Sequence, residues 1–158
     1  MQKKIQIAVI SVVVAGFGLP GIAESTASDA RVALSALTCA YAAEVLENNE
    51  DAEQFRSIGN FIIHEILSDI ASGELTRAEV FESFPAIFGI FEGSEVNSEN
   101  LDLFVAYLEQ LVDEITKGGY ERAGRGKSGV DLFNAKIYHA KDIFESEQCD
   151  EILASIAH

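Results

Sequence analysis

The chain has 158 residues, of which 26 are acidic and 11 basic, giving a net charge of −15. So acidic a surface excludes nucleic acid and anionic membrane surfaces as partners and favours solubility or a basic protein partner. Hydrophobic residues make up 48% of the chain, too many for a disordered segment, and the length suits one domain around one core.

The first residues carry a targeting pattern. Lys3 and Lys4 precede an uncharged, almost wholly apolar run from Ile5 to Leu19. Pro20-Gly21 then breaks any helix, and Gly21 and Ala23 place small residues three positions and one position before Glu24. That layout predicts a cleaved secretory signal over residues 1–23. A spanning helix needs about 20 apolar residues, more than this run supplies. The expected mature protein is therefore residues 24–158, in the periplasm and not inserted in a membrane. Lys3 and Lys4 leave with the signal and no acid does, so the net charge deepens from −15 to −17.

Beyond the signal, helical periodicity dominates. Ser28-Asp29 is a cap candidate, Leu34, Leu37, Tyr41 and Val45 fall on one face, and Asn48-Asn49 stop the run. A second helix is predicted from near Asp51. Phe55, Ile58, Ile62, Ile66 and Ile70 line its stripe, widened by Phe61, Ile63 and Leu67. Gly59 lies on the buried side, where it admits a close neighbour, and Gly73 sits where a left-handed C-terminal residue belongs. Thr76-Arg77-Ala78-Glu79 is a capping-box pattern that opens a third helix. Phe81, Phe84, Phe88 and Phe91 follow it, with Pro85 predicting a kink or two short helices. Most such stripes are core; the other reading is a surface for a partner helix or unfolded protein, with Phe84, Phe88 and Phe91 as its contacts.

Ser98 is the predicted cap of a fourth helix, on which Leu101, Phe104, Val105, Leu108, Leu111, Val112 and Ile115 repeat on one face. Gly118-Gly119 is expected to end it. A mobile Gly/Arg/Lys loop is expected over 118–130. The fifth helix carries Leu132, Phe133, Ile137, Ala140 and Phe144, and a last short segment holds Cys149, Ile152, Leu153 and Ile156. The fold class is thus all-α: a compact single-domain bundle of five or six helices. Cys39 and Cys149 are the two cysteines, and in an oxidising compartment they most simply form one disulfide that ties the first helix to the last. Closing so long a loop stabilises a fold by around 4–5 kcal/mol in the loop-entropy model.

Chemical motifs fail on context. Gly124-Arg125-Gly126-Lys127-Ser128-Gly129 matches GxGxxG, but a helix precedes it where the dinucleotide fingerprint needs a strand. His64-Glu65 begins like a zinc-protease HExxH, but Ser68 stands at the closing position. His139 stands alone on the fifth helix with Asp142 one turn later, His158 is the last residue of the sequence, and no Ser/His/Asp or Cys/His constellation has spacing support. Acidic pairs such as Glu109/Asp113 read as a solvated helix face. No enzyme activity, cofactor or metal is expected. Lys117, Arg122, Arg125, Lys127, Lys136 and Lys141 form a basic strip on the acidic chain. Arg122, Arg125 and Lys127 are its candidate contacts for an anionic ligand or the acidic patch of a second subunit, which leaves room for a homodimer; the plainer reading is ordinary surface charge offsetting local acids.

Leu37-Thr38-Cys39, then Glu53-Gln54-Phe55 and Ile58-Gly59-Asn60-Phe61-Ile62, resemble the start of HdeA/HdeB-type periplasmic proteins. These are small helical acid-stress chaperones with a single disulfide. The resemblance spans about a quarter of the chain, which is longer than those proteins and carries its second cysteine near the C-terminus. It implies an exported non-enzymatic chaperone that binds unfolded clients in acid. The composition admits an alternative: a periplasmic immunity or inhibitor protein that neutralises a delivered toxin or enzyme, matching a basic target electrostatically.

Overall fold

The computed structural model describes residues 22–76, 79 and 96–155, with side chains from Ser28 onward. The Phe81–Phe91 stripe, the segment before Ile22 and Ile156 to His158 lie outside the described residues. Within them the chain forms five helices and no strand: α1 Ile22–Val45, α2 Asn49–Ser72, α3 Leu101–Ala123, α4 Gly129–Ser146 and α5 Cys149–Ala154. The all-α class and the Cys39–Cys149 disulfide are as expected from the sequence.

α1 is the hub, in contact with each of the other four helices. No residue from Ala33 to Ala43 is exposed, and Ala30, Ala33, Ala36, Ala40, Ala42 and Ala43 are fully buried. Because alanine side chains end at Cβ, neighbouring helices pack against α1 on several sides at once. Ala30, Ala33 and Leu37 meet Ile63, Ile66, Leu67, Leu108 and Val112 of α2 and α3. Ala36, Ala40 and Ala43 meet Ala52, Phe55 and Ile152 of α2 and α5, around the disulfide. Ala42 meets Tyr120, Ala140 and Ile143 of α3 and α4. On the expected α1 face Leu37 is fully buried while Leu34, Tyr41 and Val45 are half-buried, and Ser28-Asp29 is not a cap, because the helix runs through both residues from Ile22.

The α1–α2 turn rests on Glu47, which takes a left-handed φ of 60° and lets the Asn48 N–H reach the Ala43 carbonyl at 2.9 Å. Asn48 then caps α2, its side chain accepting from the Asp51 N–H. At the other end Gly73, φ 80°, donates its N–H to the Ile70 carbonyl, the left-handed cap the sequence predicts. The capping box beyond it forms too: the Glu79 N–H donates to the Thr76 hydroxyl, and the Thr76 N–H donates to the Glu79 carboxylate at 2.8 Å. Along α2, Phe55, Ile63, Ile66 and Leu67 are buried, whereas Phe61 faces solvent because it lies opposite that arc.

Three expectations about α3 and α4 change. α3 is capped by Asn100 rather than Ser98: the Asn100 side chain accepts from the Asn97 N–H, and its carbonyl accepts from Phe104. Gly118-Gly119 does not end the helix, which continues to Ala123, so the 118–130 loop shrinks to residues 124–128. Tyr120, 3% exposed, is the physical reason: one more helical turn buries it between α1 and α4. A Cβ on Gly119 would stand 3.0 Å from His139 Nε2, so the glycine lets α4 close onto that turn. The third change is that Ile115 and Phe133 are exposed; Thr116 takes the inward place on α3, and Ala135 and Ile143 lie buried on α4.

α1 and α2 touch most closely at Gly59. A Cβ there would lie 2.7 Å from Leu37 Cγ and 2.9 Å from the Ala33 carbonyl oxygen, which is backbone and cannot swing aside. Gly59→Ala should therefore destabilise by about 1–3 kcal/mol, although alanine is the better helix former by about 1 kcal/mol. Chemical denaturation checks this; an unchanged or raised midpoint would show that the two helices have slack.

Candidate functional site

Two features of the described surface stand apart from ordinary packing: a half-buried charge cluster between α1, α2 and α3, and an uncovered apolar flank on α3.

Arg56 is the centre of the cluster. It sits on α2 one residue after buried Phe55 and one turn before Gly59, at the edge of the buried arc, where a long side chain must run between helices. Its Nη2 donates to Glu44 Oε1 of α1 at 2.8 Å, while Nη1 donates to Glu109 Oε1 at 2.7 Å and to Asp113 Oδ2 at 3.2 Å, both on α3. Asn60, one turn along α2, donates from Nδ2 to Glu109 Oε2 at 2.7 Å. One cation thus holds three carboxylates from two neighbouring helices. Burial works against the guanidinium charge, but the hydrogen bonds and charges of Glu44, Asp113 and Glu109 outweigh it and hold Arg56 above its usual range. Burial also pushes the Asp113 carboxyl up; Arg56 opposes this, and the charges of Glu44 and Glu109 add to it. Asp113 Oδ1 and Asn60 Oδ1 are buried without a hydrogen-bond partner among the described residues. Glu109 and Asp113 are therefore not the solvated face their spacing suggests, because α2 brings a base to them.

An aromatic stack extends the cluster toward α4. Tyr41 packs on Tyr120 with ring centroids 5.3 Å apart, and Tyr120 meets His139 edge-on at 4.7 Å. Burial raises the Tyr41 phenol, with Asp113, Glu44 and Glu121 adding repulsion, and burial likewise raises Tyr120. The Tyr120 hydroxyl is buried and unpartnered among the described residues.

The apolar flank faces the other way. Leu103, Tyr107, Leu111 and Ile115 recur every four residues, a stripe about 18 Å long. Leu103 is 70% exposed, Tyr107 51% and Ile115 58%, with Leu111 half-buried between them. The periodicity of α3 had assigned Leu111 and Ile115 to the core face; the register instead turns Leu108, Val112 and Thr116 inward.

Of the residues read as partner contacts, Phe84, Phe88 and Phe91 lie outside the described residues. Arg122 is in the last turn of α3, and Arg125 and Lys127 follow in the 124–128 connection; all three are exposed. None of the six strip residues forms an ion pair among the described residues, so they do not offset local acids by contact. His64 lies 4.0 Å from Asp102. Among the described residues no group of three His, Cys, Asp or Glu side chains is placed to hold a metal ion, and no helix is long and apolar enough to cross a membrane. Comparison with protein-family models, with curated proteins and with solved structures finds no match for the chain.

Sequence reasoning missed the Arg56 cluster, although a signal was present. Arg56 is the single Lys or Arg between Arg31 and Arg77, set in a helix whose other charged side chains, His64 aside, are acidic. The unpartnered Tyr120 hydroxyl gives a direct check on the stack beside it. Tyr120→Phe removes a buried group with no partner, so stability should stay within about 0.5 kcal/mol of wild type or rise by up to about 1 kcal/mol. A loss above about 1 kcal/mol in urea unfolding would reveal a hydrogen bond at that hydroxyl.

Proposed function

We propose that the chain works outside the cytoplasm as a non-enzymatic protein-binding protein of the acid-stress chaperone kind. The observation that carries this reading is the uncovered α3 flank of Leu103, Tyr107 and Ile115, an apolar strip of the kind that holds an extended or helical client segment. The charge balance supports it. Full protonation of the carboxylates turns residues 24–158 from −17 to +12, so self-repulsion reverses sign and grows below about pH 4. The fold is then loosened while Cys39–Cys149 still ties α1 to α5. Compact, still helical states with enlarged apolar exposure arise under such conditions.

A second reading, an immunity or inhibitor protein, draws on a different observation. Asp131, Asp142, Glu145, Asp150 and Glu151 of α4 and α5 are exposed and enter no ion pair among the described residues. Unneutralised carboxylates of this kind steer a basic partner into fast association at neutral pH.

Acid separates the two. At pH 2–3 the protein is expected to suppress light scattering by an acid-denatured client and to bind an apolar-surface dye. The triple variant Leu103→Ser, Tyr107→Ser, Ile115→Ser should lose most of that suppression while keeping its helical circular dichroism, since all three side chains are exposed. If dye binding rises but the wild-type chain leaves client aggregation unchanged, the chaperone reading fails and the specific-partner reading replaces it.

A further inference from the structure

The Arg56 cluster is overcrowded with negative charge. Three carboxylates share one guanidinium, and each already has an oxygen on it: Glu44 Oε1, Glu109 Oε1 and Asp113 Oδ2. Their remaining oxygens are not equivalent. Glu109 Oε2 accepts from Asn60, and the Glu44 side chain is 44% exposed to water. Among the described residues Asp113 Oδ1 alone of the three groups has a buried oxygen with no donor, and Asn60 Oδ1 is a second buried acceptor lacking one. A cluster with two excess charges and an undonated buried oxygen is completed by a proton.

We propose that the Arg56 cluster is a proton-accepting latch, in which Asp113 takes up one proton on its buried oxygen as the medium acidifies while Arg56 keeps its bonds to Glu44 and Glu109. The groups facing Asp113 come from every helix packed around it: Tyr41 and Glu44 from α1, Arg56 and Asn60 from α2, and Glu109 on α3 itself, with Glu121 acting through Tyr41. α4 contributes His139, one ring beyond Tyr120. Uptake removes one of the two excess negative charges without breaking the three-helix tie. The proton exchanges with solvent through the partly exposed edge of the cluster, and no other bond changes.

The sign of the stability effect follows from the direction of the shift. Asp113 binds its proton more readily folded than unfolded, where an aspartate titrates near 4. Stability therefore rises as pH falls through the folded value, and the gain is complete below the unfolded value. The latch tightens in mild acid and gives way only when general repulsion dominates at lower pH. It is independent of what the protein binds.

The test is a carboxyl-carbon NMR titration of the full chain between pH 3 and 7, beside thermal unfolding over the same range. Asp113 is expected to titrate above the ordinary aspartate range. Glu44→Gln, which keeps an acceptor for Arg56 but removes a repelling charge, should shift that midpoint downward. Asp113→Asn should be at least as stable as wild type at pH 7 and should lack the part of the acid-side rise that depends on this carboxyl. The Asp113 midpoint is read without any client, so it separates failure of the latch from failure of the chaperone reading. An Asp113 midpoint at or below the ordinary value, or one that Glu44→Gln leaves unmoved, overturns the proposal.

Discussion

Close approach to α1 is the constraint on which the rest of the structure depends. A helix whose buried positions are mostly alanine has a narrow cross-section, and at Gly59 the α2 backbone lies nearly against the Ala33 carbonyl. Drawing α2 in brings Phe55 and Arg56 to the same helical edge. Phe55 goes down toward the disulfide, where it meets Phe144 edge-on at 6.0 Å. Arg56 reaches sideways to α3. The core and the charge cluster are thus two results of one packing distance. Alanine supplies little buried area per residue, so stabilisation by transfer from water is modest along α1 itself, at about 25 cal/mol per Å² of apolar surface. The larger apolar area comes from the Leu, Ile and Phe side chains that α2, α3 and α5 lay over it. The disulfide offsets part of the chain entropy by linking the central helix to the last one across 110 residues of sequence.

Large apolar side chains at helical spacing were legible. The α2 stripe apart from Phe61, the Gly73 cap, the Thr76–Glu79 capping box and the disulfide appear where the residues indicate. The misread places share one cause: tertiary contacts outweighed a local signal. Gly118-Gly119 costs about 2 kcal/mol of helix propensity, which locally ends a helix, yet burial of Tyr120 carries α3 through it. On α1 the apolar face of Leu34, Leu37, Tyr41 and Val45 buries only Leu37 fully, and most of the remaining buried surface is alanine, whose periodicity is weak in any hydrophobicity reading because it occupies several sides of the helix. Glu47 performs a left-handed turn that a sequence reader assigns to glycine or asparagine.

The candidate site was less legible for a related reason. Glu109 and Asp113, one turn apart, look the same on a solvated face and on a face turned toward a buried base, and only the placement of α2 distinguishes the two. The exposed stripe of α3 was hidden by its own regularity. Leu101 to Ile115 carry apolar residues around more of the helix than one core can cover, so the sequence alone does not say which of them face inward. Burial of Leu108, Val112, Thr116 and Tyr120 on one side leaves Leu103, Tyr107 and Ile115 on the other.

Those two faces of α3 respond to acid in opposite ways. On the inner edge, Glu109 and Asp113 hold Arg56, and one proton there relieves crowding without releasing the helix. On the surface, each proton added to an exposed carboxylate moves the chain toward net positive charge and then past it, with no local bond gained in return. Among the described residues the first effect belongs to the carboxyls that burial raises, Asp113 and also Asp29. The second draws on the far larger remainder of the 26 acids, so it wins once most of them titrate. The helices joined by Arg56 should consequently be among the last to separate in acid, while segments held by neither the cluster nor the disulfide loosen first. A client-binding surface on the outer flank of α3 would then be presented by a helix still anchored from behind, which keeps its side chains aligned in a strip instead of dispersing them along an unfolded chain.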